Sequence, residues 1–377
     1  MPARDVAIYS PRSVHWYERG DSRGGGAERQ MMLLARALAV RGTRVAHVVL
    51  QPRDPLPLPP GLDLVTRAPE VESRSLVDGL REALRVWRAL GAADARVTIV
   101  RMATPALGVA GAWCRLHRRR LVFSSANDSD FVEGAGTDGL PKRLLYRLGL
   151  RLADAVVVQS GDQVRLARES LPRLRDVVAI PSFCEPPDEA DAGEAGAGAA
   201  EPDAFLWIGR LTAVKDPQRF LDLAAALPDA HFVLIPVPGS AAPVDSREVR
   251  EAARDLPNLT VSDPLPHREL MGLVARAAAI VNTSTVEGLP NVFLEAWARG
   301  VPVLTLRCDP DSVVAARELG VAADGSWDRF VAGARELWDT RHERAELSRR
   351  TRAYIEEVHS IDAVAARWAD VLERVAR

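Results

Sequence analysis

Short, wholly apolar runs alternate with longer segments of helical period along most of this chain. Asp5–Ser10 is an apolar run at the start, and Arg29–Val40 follows with Met32, Leu33, Ala35, Leu38 and Ala39 at helical spacing until Gly42 stops it. Arg44–Leu50 reads as the next strand and Gln51–Pro60 as a proline-rich loop. Leu62–Thr66, Val97–Met102 and Leu121–Ser125 are predicted strands with helices between them, and Ala153–Gln159 and Val177–Pro181 close the series. Glu185–Pro202 differs: alanine, glycine, proline and acidic residues without a period predict a linker. Ala204–Arg210 then opens a second strand–loop–helix series, with strands at His231–Ile235, Leu259–Val261, Ala278–Asn282 and Val301–Leu306. The tail, Ile361–Arg377, carries Val364, Trp368, Val371 and Leu372 at helical spacing. Buried strands alternating with helices predict an α/β fold. The expected organisation is two doubly wound domains, residues 1–184 and 203–360, joined by a linker at 185–202 and followed by a helix at 361–377.

Composition agrees with a globular protein large enough for two cores: 377 residues, 47% hydrophobic and 27% charged. Cys114, Cys184 and Cys308 are odd in number and far apart, which fits neither a disulfide framework nor metal-ligand spacing and points to a reducing cytoplasm. The first residues lack a signal peptide's long apolar core, and no run reaches the ~18 apolar residues of a membrane span.

Charge changes the picture more. The net charge is −2, but residues 1–184 hold 28 Lys and Arg against 19 Asp and Glu, net +9, and residues 185–377 hold 21 against 32, net −11. A basic front half points to an anionic partner, either a membrane face or a phosphorylated acceptor, with compositional drift as the alternative. Arg115, Arg118, Arg119 and Arg120 form one cluster; Lys142, Arg143, Arg147 and Arg151 lie among leucines in another. Basic amphipathic helices can lie on anionic lipid; an ordinary solvated face is the other reading.

The chemistry concentrates between Val281 and Thr305. A strand ends in polar residues, Glu287, Gly288 and Leu289 make a tight loop, Pro290 suits a first helical turn, Asn291–Arg299 is helical, and Gly300 stops the helix. A helix N-terminus above strand ends is an anion site, because its first-turn N–H groups and positive dipole end point outward. Glu287 and Glu295 stand eight positions apart, about two helical turns, so both can face one cleft and accept hydrogen bonds from sugar hydroxyls. Two solvated glutamates on an ordinary helix are the plain alternative. Earlier, Ile208-Gly209-Arg210 leads through Leu211 to Lys215-Asp216-Pro217, another strand–glycine–loop–helix passage. Lys215 is one of only two lysines, with Lys142, against 47 arginines.

Glu287, seven intervening residues and Glu295, with Gly288, Leu289, Pro290, Asn291 and Val292 between them, resemble the E-x7-E signature of retaining glycosyltransferases with the GT-B fold, family 4 type. The passage from Gly209 through Arg210 to Lys215 resembles the family's second motif, whose arginine and lysine hold the donor diphosphate. Gly25-Gly26-Ala27-Glu28, before a helix ending in Arg41-Gly42, is similar to the family's glycine loop facing the donor. The resemblance implies two Rossmann-like domains facing a cleft, a terminal helix that crosses back to the first domain, Glu287 beside the donor sugar and Glu295 on the nucleotide ribose. It also implies an acceptor-side residue near Ala126–Phe131, for which Asp128 is the candidate and Asn127 the alternative. Asp128-Ser129-Asp130 matches the metal-binding D-x-D of the other glycosyltransferase fold, but the family implied here works without metal. The chain departs from many relatives at Pro236–Gly239, where they carry a glycine-rich turn.

The expectation is thus a retaining, metal-independent glycosyltransferase, with Glu287, Arg210, Lys215 and Asp128 as catalytic candidates and no cofactor. Its donor is a nucleotide-diphosphate sugar. Its acceptor is expected to be lipid-linked or a glycan, in surface polysaccharide or glycolipid assembly, in the cytoplasm or peripherally on an anionic membrane face, without nucleic acid. A sugar-nucleotide epimerase of the same fold and a non-catalytic partner subunit are the rivals. A dinucleotide dehydrogenase is disfavoured by the lack of G-x-G-x-x-G after the first strand.

Overall fold

The computed structural model describes residues 2–19, 25–69, 75–131, 139–171, 176–187, 203–237 and 246–377. Most of the segment expected to be a linker, residues 188–202, lies outside the described residues, as do Pro238 and Gly239 of the departing turn and residues 20–24, just before the glycine loop. The chain divides into two compact units, one made of Met1–Phe183 and Ile361–Arg377, the other of Cys184–Ser360.

The first unit runs β1 (Arg4–Tyr9), α1 (Gly26–Val40), β2 (Val45–Leu50), β3 (Leu62–Arg67), α2 (Leu76–Ala93), β4 (Ala95–Arg101), α3 (Ala106–Leu116), β5 (Arg120–Ser124), α4 (Leu140–Leu152), β6 (Ala155–Val158), α5 (Gly161–Ser170) and β7 (Val177–Ala179). Its seven strands pair in parallel in the order β3-β2-β1-β4-β5-β6-β7. Alternate residues of these strands feed two cores, one on each face of the sheet. Ile8, Val45 and Ile99 pack with Leu34 and Leu38 of α1, and with Val364, Trp368 and Leu372 of the terminal helix, Ile361–Ala376. On the other face Val100, Phe123 and Val156 meet Leu90 of α2, Leu107 of α3 and Leu150 of α4. β4 stops one residue earlier than its apolar run, because Met102 turns to a φ of +70°.

Helices α3 and α4 approach backbone to backbone, and two glycines allow it. A Cβ on Gly108 would sit 2.2 Å from the Leu145 carbonyl oxygen, and one on Gly149 would sit 2.6 Å from the Leu107 carbonyl carbon.

The second unit runs β8 (Ala204–Gly209), α6 (Pro217–Ala226), β9 (Phe232–Pro236), α7 (Ser246–Ala253), β10 (Leu259–Val261), α8 (His267–Ala275), β11 (Ala277–Asn282), α9 (Asn291–Ala298), β12 (Val303–Thr305), α10 (Val313–Ala316), β13 (Gly320–Ala322), α11 (Trp327–Asp339) and α12 (Ala345–Tyr354). Six parallel strands pair as β10-β9-β8-β11-β12-β13. β12 is shorter than the run from Val301, since Pro302 has no N–H for the ladder. Pro290 caps α9 with extended backbone, φ −64° and ψ 134°, one position before the helix begins.

Both sheets therefore share one plan. The chain fills one side of the first strand, then the other, so strand order reverses between β1 and β4 and again between β8 and β11. Loops leaving the carboxyl ends at such a reversal run in opposite directions and leave a crevice, the usual ligand position in this fold.

Candidate active site

In the second unit the reversal brings together loops far apart in sequence. Gly209 ends β8, and its carbonyl accepts from the Val237 N–H at 2.8 Å. Arg210 is exposed. The turn Ala213–Lys215 follows, and Asp216, at a φ of +47°, starts α6. β11 runs into Thr283, whose hydroxyl donates to the Lys215 carbonyl at 2.8 Å and accepts from the Trp207 indole at 2.9 Å. The Thr285 N–H donates to the Val214 carbonyl at 2.8 Å. These bonds fix the β8 and β11 loops to one another, and the side chains meet as well. The Lys215 ammonium donates to Glu287 Oε1, the oxygen that also accepts from the Ser284 hydroxyl at 2.9 Å.

Burial pulls the Lys215 ammonium down to about 8, and repulsion from Arg210 adds to the shift. The carboxylate in contact acts in the opposite sense, favouring the charged ammonium. Gly288 and Pro290 are buried, Leu289, Asn291 and Val292 are half-buried, and no side chain caps α9. Glu295 is half-buried further along α9, between the buried Leu294 and Ala296.

Sequence reading passed over a third loop. Arg307, just after β12, donates to Asp216 Oδ2 at 3.1 Å and to the Thr283 carbonyl at 2.9 Å. It ties the loops of β8 and β11 together from one side. An arginine two residues past a strand was the only available signal, and this chain has too many arginines for that to stand out.

In the first unit Gly25 caps α1 with extended backbone and no side-chain cap, so this helix also begins with Gly26 at its exposed N-terminus. Asp128 lies after β5, half-buried, and accepts from the Gln163 amide at 2.9 Å. Desolvation, reinforced by Asp162 and Asp130, holds its carboxyl above the usual range despite the Gln163 bond. The neighbouring Asp130 is buried and organises the loop, accepting from the Ser125 hydroxyl at 3.0 Å and from the N–H groups of Ala126, Asn127 and Ala103 at 2.6, 3.3 and 3.2 Å. Asn127 itself is exposed. Arg101, at the end of β4, is also buried and donates to the Ser124 hydroxyl at 3.0 Å. Desolvation lowers it to about 10, against the opposing pull of Asp130 and Glu28. Among the described residues no group of three or more His, Cys, Asp or Glu side chains is placed to share a metal ion.

Half of one basic cluster is already neutralised. Arg119 pairs with Asp94 at 2.8 Å and Arg120 with Asp154 at 3.1 Å. Among the described residues no helix is long and apolar enough to cross a membrane.

Two family models match the chain in succession, "Glycosyl transferase 4-like domain" over residues 25–182 and "Glycosyl transferases group 1" over residues 202–340. Among solved structures the chain is similar to sucrose-phosphate synthase from Thermosynechococcus elongatus, with a TM-score of 0.76 at 15% identity over 98% of each chain. It is also similar to WaaG, a glycosyltransferase involved in lipopolysaccharide biosynthesis, with a TM-score of 0.67 at 15% identity over 97% of this chain and 99% of that one. HepE from Anabaena, solved in complex with UDP and glucose, gives 0.67 at 14% identity over 98% and 99%. Likeness at these identities carries the fold, while the two family models carry the membership. The chain belongs to the GT-B glycosyltransferases, family 4 type, with a 4-like domain in front and a group 1 domain behind.

Proposed function

We propose that this glycosyltransferase takes its sugar from a nucleoside-diphosphate donor and passes it to an acceptor hydroxyl with retention at the anomeric carbon and without a metal ion. The observation that carries the reading is the Lys215–Glu287 pair beside Arg210, on loops leaving β8 and β11 where the strand order reverses. As the glycosidic bond to phosphate breaks, negative charge grows on the leaving diphosphate. Two cations and the N-terminus of α9 stabilise that charge where it develops. Glu287 accepts from donor sugar hydroxyls and Glu295 from the ribose, and Gly25 and Gly26 are counted among the donor-binding residues. These roles, and retention, follow from the motif resemblance. Asp128, or Asn127 beside it, serves the acceptor side. The donor class draws support from HepE, solved with UDP and glucose and with UDP-glucose.

The acceptor we propose is a lipid-linked glycan in surface polysaccharide or glycolipid assembly, reached from the cytoplasmic face of a membrane. The excess of basic residues in 1–184 supports it. The test is incubation with labelled nucleotide sugars and a lipid extract in the presence of a chelator. Label moving to the extract, with the donor's anomeric configuration in the product, is the expected result. An inverted product overturns retention, transfer abolished by the chelator overturns metal independence, and an epimerised donor without transfer favours the rival epimerase.

A further inference from the structure

Among the described residues thirteen large apolar side chains are exposed, and eight of them lie on α2, on α4 or at the end of α3. On α4 they form a row: Leu140, Leu144 and Leu148, four residues apart and 43 to 68% exposed, with Leu145 beside them. A second row, Arg143, Arg147 and Arg151, runs parallel to it at the same spacing, and all three are exposed. α4 carries no acidic residue. Its opposite side holds Tyr146, Gly149 and Leu150, buried against α3 and the sheet. α2 adds an apolar row of its own, Val77, Leu80 and Leu84, 54 to 67% exposed, with Arg88 exposed on the same helix, but its Arg81 and Arg85 pair with Asp78 and Glu82. Both helices flank α3 and cover the same face of the sheet.

We propose that the outer face of α4, with α2 beside it, docks on an anionic lipid surface, the leucines entering the acyl boundary and the arginines meeting the headgroups. This deepens the lipid-linked acceptor reading and rests on it for purpose. The chemistry of the face selects the occupant. Leucines bordered by long cations that can extend to phosphate are the pattern of a helix lying in a membrane interface. A second copy of this chain would bring arginine rows against arginine rows, so like charges oppose that occupant. The helix also has an inward link. The Tyr146 hydroxyl donates to the Asp130 carbonyl at 2.8 Å, so the element lying on lipid is bonded to the loop that carries Asp128. Arg119 and Arg120, paired with Asp94 and Asp154, are not needed for the contact.

The test uses the full chain, phosphatidylcholine vesicles with and without one-third phosphatidylglycerol, and co-sedimentation at low and high salt. The unaltered protein is expected to bind the anionic vesicles only. The variant R143Q/R147Q/R151Q should lose on the order of 100-fold in partition, since each charge at the surface contributes about fivefold. L140S/L144S/L148S, all solvent-facing changes, should lose the binding that survives high salt. Leu144→Trp should show blue-shifted fluorescence on anionic vesicles. Unaltered protein left in the supernatant at low salt overturns the proposal, as does undiminished binding of the serine variant. A dimer in sedimentation equilibrium that the serine variant abolishes, without vesicle binding, assigns the face to a second copy and overturns it too. Glycosyl transfer to a detergent-dispersed lipid extract reads the acceptor separately: turnover there without vesicle binding overturns the docking face alone, and no turnover there overturns the acceptor reading.

Discussion

Lys215 and Glu287, 72 positions apart, form an ion pair, and Ser284 donates to the same glutamate oxygen. The cation proposed for the diphosphate is thus in contact with the carboxylate proposed for the sugar. Under the proposed roles, Lys215 would exchange one anionic partner for another when it meets the diphosphate.

Removing either cation should slow the chemical step. For Lys215→Ala and Arg210→Ala the expected loss is roughly 2–4 kcal/mol of transition-state stabilisation, or about 30- to 1000-fold in turnover. Single-turnover kinetics on variants whose circular dichroism matches the parent measure it. Activity within threefold of the parent removes that residue from the assignment.

Donor affinity should depend on pH through Lys215. Its folded value is pulled from the ordinary 10.5 to about 8 by burial and then by Arg210, so the binding form is lost as pH rises through about 8. Calorimetry should find nucleotide-diphosphate affinity level below pH 7 and falling up to tenfold per unit above 8, with Lys215→Arg flattening the curve. Between about 8 and 10.5 the unfolded chain holds a proton that the folded chain has lost, so this group makes stability rise with pH across that window. An affinity that does not change from pH 7 to 9.5 counts against the role.

The two glutamates should separate kinetically. Glu295→Gln is expected to weaken nucleotide binding, because its proposed partner is the ribose. Glu287→Gln should depress turnover and leave nucleotide affinity equal or better, since Lys215 no longer has a carboxylate to leave. Titration of both variants with the free nucleotide and with the nucleotide sugar decides; equal losses of nucleotide affinity in both would merge the roles.

Stability and activity should part at the two neighbouring aspartates. Asp130→Ala strands a hydroxyl and three backbone N–H groups, costing on the order of 3 kcal/mol or more, which a thermal melt will show. Asp128→Asn keeps a partner for Gln163 and relieves a carboxyl that burial disfavours, so its melting temperature should hold or rise while transfer falls. A melt lowered equally in both variants would make Asp128 a structural residue.

The packing of α3 on α4 gives a further expectation. Gly108→Val and Gly149→Val each push a side chain into the opposing backbone, so each should destabilise by about 1–3 kcal/mol or more. Urea unfolding measures it; an unchanged midpoint would mean that the two helices can part without cost.

Much of the fold was legible in local pattern. Apolar runs such as Val45–Leu50 and Ala277–Asn282 are strands because residues buried on both faces of a parallel sheet need no polar alternation, and the helical segments between them show their period. Gly42 and Gly300 end helices at φ of +88° and +78°, a conformation that a sequence announces by residue type. The motif residues around Glu287 and Lys215 could be singled out for the same reason: turn, glycine, proline and helix start are local chemistry. Adjacency was not local. Strand order alone sets β8 beside β11, and only then do Lys215 and Glu287 touch and Arg307 reach Asp216 and Thr283. Charge follows the same rule. Arg119 and Arg120 count as positive in the sequence but are paired across the fold, whereas on α4 Leu150 is core and Leu140, Leu144 and Leu148 are exposed, because a helix shows its period in sequence but only its neighbours decide which face they cover.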